Sequence, residues 1–351
     1  MNDNHSIFKD EMAQMQITKT LILALALLLS ACGDPVQEQI DAQIPLTEQR
    51  VQQLGQMLDE GQIRNAKFIK QYAAQVAQKS PQLATIADEF RKDATTQGPL
   101  YVALLERIDL VKNQPQMFAS KQARFEELLN IYQAADPVLF SDALSDPLNV
   151  LADMSDGELP RVNAMSKNQS MAANNAQDFG VGEQLIGNPA YGQWQTDSNG
   201  MSFWAWYGVY RLLDDVLDID GFGRKRRGKV YYSNWGKSRN YSYYHDYGRT
   251  RYSSPTQLRK QTQLETRTRK SFESRGQRFT SAYGKNRSGA SGVSSQSKTA
   301  QASASRFSSN AANKSKFAKT SSSASKSKYS KSNASFRNSS SSTSRGFRRG
   351  K

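Results

Sequence analysis

The sequence predicts a mainly α-helical protein: a helical bundle domain, then an aromatic-rich segment, then a long basic disordered tail. Three observations carry this expectation. Apolar residues recur at helical spacing from about Leu46 to Met154. From about Ser281 the chain becomes low-complexity Ser, Lys, Arg, Asn and Ala, with too little apolar surface to offset the entropy of ordering. Charge is split into two blocks near Gly223. Residues 1–223 carry 16 Lys+Arg against 29 Asp+Glu, a net of −13, and residues 224–351 carry 31 against 3, a net of +28. Halves so unlike have different partners, or bind each other.

The chain opens with an apolar run from Thr20 to Leu29, preceded by Lys19. It is shorter than the about 20 residues a membrane-spanning helix needs, and has the length of a signal-peptide core. Leu29-Ser30-Ala31-Cys32 follows. This resembles the lipobox of bacterial lipoproteins. The resemblance implies that residues 1–31 are a cleaved signal peptide and that Cys32 carries lipid on its sulfur and its new amino group, palmitate-type acyl chains included. Each buried CH₂ contributes about 0.8 kcal/mol, so one chain holds only marginally and two or more anchor stably. Gly33, rather than an aspartate, follows the cysteine, which within that class favours the outer over the inner membrane. Asp3, Asp10 and Glu11 lie upstream, and a start at Met15 would give a more compact basic leader. Cys32 is the only cysteine, which excludes an internal disulfide and any cysteine-based zinc site.

Residues 32–45 are expected to be a tether and 46–154 the helical domain. Four stripes define it: Ile63, Ala66, Ile69, Ala73 and Val76; Leu83, Ile86, Ala87 and Phe90; Leu100, Leu104, Ile108 and Val111; Phe118, Phe125, Leu128, Leu129 and Tyr132. Ser80-Pro81, Gly98-Pro99, Asp136-Pro137 and Asp146-Pro147 look like helix starts, with proline in the first turn where its missing N–H costs nothing. The stripes are expected to form the domain's own core. Asp88, Glu89, Arg91, Lys92, Glu126 and Glu127 are expected to form a solvated face.

Residues 155–187 lose periodicity and read as a linker. Residues 188–222 hold three of the four tryptophans, and residues 223–280 form a basic Tyr/Arg-rich segment. Arg224, Lys225, Arg226, Arg227, Lys229, Arg249 and Arg251 are candidates for polyanion binding. Trp204, Trp206, Trp235, Tyr243 and Tyr244 are candidates for stacking on sugars or bases beside those cations. Burial in a small core or a short β structure is the other reading of the same rings. Asp218, Asp220 and Gly221 suggest part of a calcium loop, but Val216 and Arg227 would fall where ligands are needed, so no metal is expected. Residues 281–351 are the expected tail.

No phosphate loop, HExxH or GxSxG motif occurs, and His245 beside Asp246 does not make a triad. The expectation is therefore a non-enzymatic, cofactor-free envelope protein. Its membrane contact is the lipid on Cys32, and its basic tail binds an anionic envelope polymer such as lipopolysaccharide or cell wall, with nonspecific nucleic-acid binding also open. A subunit that docks a protein partner through the helical domain is the alternative, and a cryptic hydrolase a third reading.

Overall fold

The computed structural model describes residues 34–162, 178–216, 229–236 and 242–284. They are mainly helical, as the sequence predicts. Seven helices come first: α1 (Pro35–Asp59), α2 (Arg64–Lys79), α3 (Ala84–Lys92), α4 (Pro99–Asn113), α5 (Lys121–Ala134), α6 (Pro137–Ala143) and α7 (Ser145–Asp153). Helix α1 packs on α4 and α5, while α2 packs on α3, α6 and α7. An antiparallel hairpin follows, β1 (Gly192–Thr196) and β2 (Ser202–Trp206), and then a long helix, α8 (Pro255–Glu273). No described helix is long and apolar enough to cross a membrane.

The four stripes do form core, except that Leu83, Phe118 and Tyr132 are only half-buried. Ile86, Ala87, Phe90, Leu104 and Val111 are nearly inaccessible, with Ile63, Ala66, Ile69, Ala73 and Val76 beside them. Gly98-Pro99 and Asp136-Pro137 do open helices. The Asp136 carboxylate accepts from the Val138 and Leu139 N–H groups at 2.9 and 3.2 Å.

Three local expectations are corrected. The tether is helix from Pro35 onward. Asp34 caps α1, accepting from Val36 and Gln37 N–H at 3.0 and 3.3 Å. The buried row on α1 runs Ile40, Gln43, Thr47, Val51, Leu54 and Leu58. Two polar members and Pro45 hide its period in the sequence. Glu127 is not on a solvated face. It is 3% exposed and pairs at 2.6 Å with the equally buried Arg107, whose guanidinium also donates to the Arg251 carbonyl. Burial raises the Glu127 carboxyl above its ordinary value, and Arg107 opposes that rise. Asp146 is no cap; it lies inside the first turn of α7 and points into the core, 1% exposed.

The expected division into separate segments gives way to one hydrophobic cluster that runs from Ile40 to Ala282. Phe179, Leu185 and Ile186, placed in a linker by composition, are buried in it. So are aromatic residues of the hairpin and of the basic segment. The chain at Val230 and Tyr231 lies against β2: Trp204 N–H donates to the Val230 carbonyl at 2.8 Å, and Phe203 bridges to Tyr231. Cys32, Asp218, Asp220, Gly221 and Arg224 to Arg227 lie outside the described residues, as does the tail beyond Gly284.

Candidate binding groove

The polar groups that dock the C-terminal elements onto the helical domain come from far apart in sequence. Asp146 accepts the backbone N–H groups of Tyr243 and Tyr244 at 2.8 and 2.9 Å and the Ser242 hydroxyl at 3.0 Å. Burial pushes its carboxyl up to about 6, and those three donors, with Arg161, hold it from rising further. Tyr252 donates to the Ala134 carbonyl at 2.9 Å, and Tyr191 to Asp93 at 2.9 Å. Burial drives the Asp93 carboxyl well above the carboxylate range. These two hydroxyls thus meet acceptors in the core, which lowers the cost of burying tyrosine.

Helix α8 is set by a reciprocal cap. Ser254 Oγ accepts from Gln257 N–H at 3.2 Å, and Gln257 Oε1 accepts from Ser254 N–H at 2.7 Å, with Pro255 in the first turn. Its inner face is Gln261, Leu264 and Phe272. The Gln261 amide donates to the Gly187 carbonyl at 3.0 Å and to the Tyr244 hydroxyl at 2.8 Å, and it accepts from Arg249 Nε at 3.0 Å. Tyr244 and Ser253 share a further bond of 2.7 Å.

Gly187 is a close approach in this junction. Its φ is +89°, and an added Cβ would lie 2.7 Å from the Tyr283 hydroxyl and 3.2 Å from the His245 ring. Gly187→Ala is expected to destabilise the protein by about 2 kcal/mol through the left-handed backbone alone. That corresponds to a melting midpoint lower by about 4–8 °C. An unchanged midpoint would show that the junction yields enough to take up the added methyl group.

With α8 held in this way, a groove of about 410 Å³ opens between it and the hairpin. Gln257, Lys260, Gln263, Leu264 and Arg267 line one side; Gln193, Trp194, Thr196, Ser202, Trp204 and Tyr207 line the other. On α8 the spacing 257, 260, 264, 267 is a single helical face. In the hairpin, Trp194 pairs directly across from Trp204, their ring centroids 5.3 Å apart. The turn is closed by the Asp197 carboxylate, which accepts from Asn199 and Met201 N–H. Tyr207 is 42% exposed. Partial burial and the charge of Glu106 push its phenol up, so it stays neutral.

The predicted site residues are placed very differently. Trp204, Trp206, Trp235, Tyr243 and Tyr244 are only 1–5% exposed. A ring so covered has no free face for a base or sugar, so the stacking expectation is corrected for all five. They pack on the chain's own rings instead, as Trp235 does on Trp194, His245 and Tyr283. Arg249 lies over the Tyr283 ring at 4.1 Å and bonds Gln261; Arg251 donates to the Tyr247 carbonyl at 2.8 Å. Both are half-buried and engaged with the fold. Lys229 is exposed and sits over Phe203 at 3.9 Å.

Sequence reasoning missed the groove residues Gln193, Lys260, Gln263 and Arg267. A signal for the helix that carries the last three was present: Ser254-Pro255-Thr256-Gln257 is a capping-box pattern. Among the described residues no three His, Cys, Asp or Glu side chains converge as a metal site would require. No protein-family model, curated protein or solved structure matches this chain.

Proposed function

We propose that this chain is a lipid-anchored envelope protein that acts by binding rather than catalysis, and that its C-terminal residues hold an anionic envelope polymer or surface. The observation that carries the reading is the charge of the residues that follow the described core in the sequence. The described core ends by Gly284, and residues 285–351 contain 15 Lys+Arg and no Asp or Glu, equal to the net charge of the entire chain, +15. A block of this kind binds polyanions by releasing their counterions, with steep salt dependence. On the folded part, α8 and its exit add exposed Arg259, Lys260, Arg267, Arg269, Lys270, Arg275 and Arg278. The lipobox supports a lipid anchor at Cys32, with the outer membrane preferred through Gly33.

The test is a salt series. The full chain in detergent, and a chain ending at Gly284, are titrated with lipopolysaccharide, anionic vesicles, cell-wall sacculi and DNA. Binding by the full chain should fall steeply with salt, and removal of residues 285–351 should weaken it by at least tenfold and flatten the slope. Equal binding by the two chains, or none near physiological salt, would overturn the proposal. The search would then move to protein partners of the helical domain.

A further inference from the structure

We propose that the groove between the hairpin and α8 is a binding site for an acidic saccharide, one whose sugar rings carry carboxylate or phosphate. The inference rests on the polyanion reading above and names the ligand class that the folded part would select.

The lining carries the argument. None of the residues around the groove is acidic, while Lys260 and Arg267 stand exposed at its α8 side. Gln193, Gln263, Thr196 and Ser202 each offer both donor and acceptor groups, the combination that matches sugar hydroxyls. Trp194 and Tyr207 supply aromatic wall, amphipathic rings suited to a ligand with apolar and polar faces. The volume of about 410 Å³ falls at the low end of the roughly 300–1,000 Å³ typical of small-ligand sites, enough for a short stretch of glycan.

Single-stranded nucleic acid fits the same groove less well. Such binders present successive exposed aromatic platforms. Here Trp204 is 3% exposed, and Trp194 is wedged edge-on against Trp204 and Tyr232. The cationic C-terminal residues would attract any polyanion. The groove adds hydrogen-bonding side chains on two walls, fixed by the α8 cap and by Gln261, and these can tell one polymer from another.

Two double variants of the full chain in detergent separate the contributions. Gln193→Ala with Gln263→Ala removes two exposed amides and no charge. Lys260→Ala with Arg267→Ala removes the two cations. Each is titrated with a galacturonic acid trisaccharide, glucose 6-phosphate, a neutral glucose trisaccharide and a DNA oligonucleotide. The amide variant should lose at least fivefold in affinity for the acidic sugars, with DNA binding unchanged. The cation variant should lose at least tenfold for the acidic sugars. The neutral trisaccharide should bind the parent at least tenfold more weakly than its acidic counterpart. The uronate and phosphate arms show which acid is preferred. Because all four side chains are exposed, the melting midpoints should match the parent's and serve as a folding control.

Parent-like affinity of both variants for the acidic sugars would overturn the saccharide site, as would tighter, amide-dependent binding of DNA. If the parent binds DNA and vesicles in a salt-dependent manner while the variants show no saccharide effect, the groove inference alone fails. If the parent binds no polyanion at all, the wider reading fails with it.

Discussion

Ending the chain at Gly223 should abolish cooperative folding, whereas ending it at Gly284 should leave the melting midpoint within a few degrees of the full chain's. Charge and composition draw the boundary at Gly223, where an acidic half meets a basic one. The described core reaches some sixty residues further. Val230, Tyr232, Trp235, Tyr243, Tyr244, Tyr252, Leu264, Phe272 and Phe279 all belong to the same buried cluster as α1 to α7, each at most 9% exposed. Burying a side chain of this size stabilises by about 1.5–3 kcal/mol, and a whole domain retains a net of only about 5–15 kcal/mol. Loss of all nine, about 14–27 kcal/mol before the ordering entropy of the removed residues is set against it, is large beside that margin. It would also strip the rings that pack on Trp194 and Phe140 and leave Asp146 without its donors. The measurement is thermal and urea unfolding of both truncations, followed by near-ultraviolet circular dichroism. A cooperative, parent-like transition in the chain ending at Gly223 would mean that α1 to α7 stand alone and that the aromatic segment merely rests on them.

The helices were legible because a 3.6-residue period leaves a direct trace in the order of apolar residues, as at Leu83, Ile86, Ala87 and Phe90. The start of α1 was not, because its buried row includes Gln43 and Thr47. These two satisfy each other inside the helix: Thr47 Oγ donates to the Gln43 carbonyl at 2.9 Å, and Gln43 Nε2 donates to Thr47 Oγ at 3.2 Å. Asp146 was misread for a different reason. Asp-Pro is the pattern of a helix cap, and Asp136-Pro137 is one. What makes Asp146 different is a set of donors 96 to 98 residues away. The tyrosines from 243 to 252 had the same fate. Interleaved with arginine they look like a stacking surface, and only the folded chain brings Tyr252 to its acceptor, the Ala134 carbonyl 118 residues away. The groove was hidden at one further remove. Its walls come from residues 193–207 and 257–267, and its cations sit in a basic segment where composition alone distinguishes no lysine from another.

Replacing Asp146 with alanine should destabilise the protein at pH 7 by about 3 kcal/mol or more, because three buried donors lose their acceptor and each stranded donor costs about 1–3 kcal/mol. Asparagine, with one amide oxygen still able to accept, should cost less. The pH dependence separates this residue from a generic core position. Its carboxyl has an ordinary value of 3.8 and is raised to about 6 in the folded chain, chiefly by burial and against the pull of the Tyr243, Tyr244 and Ser242 donors. The folded form therefore holds this proton more tightly than the unfolded form does. The resulting stabilisation is complete below about pH 4, declines as pH rises, and is gone above about pH 6. At about 1.4 kcal/mol per pH unit, a window about two units wide amounts to about 3 kcal/mol. Burial raises Asp93 and Glu127 as well, so both act in the same sense. The signature of Asp146 is thus a difference: from pH 4 to pH 7 the parent's lead in stability over Asp146→Asn should shrink by about 3 kcal/mol, read from urea unfolding at both values. A lead that stays constant would mean the carboxylate is ionised in the folded chain throughout. Asp146 would then hold residues 242–244 by charge-assisted hydrogen bonds alone, without any linkage to pH.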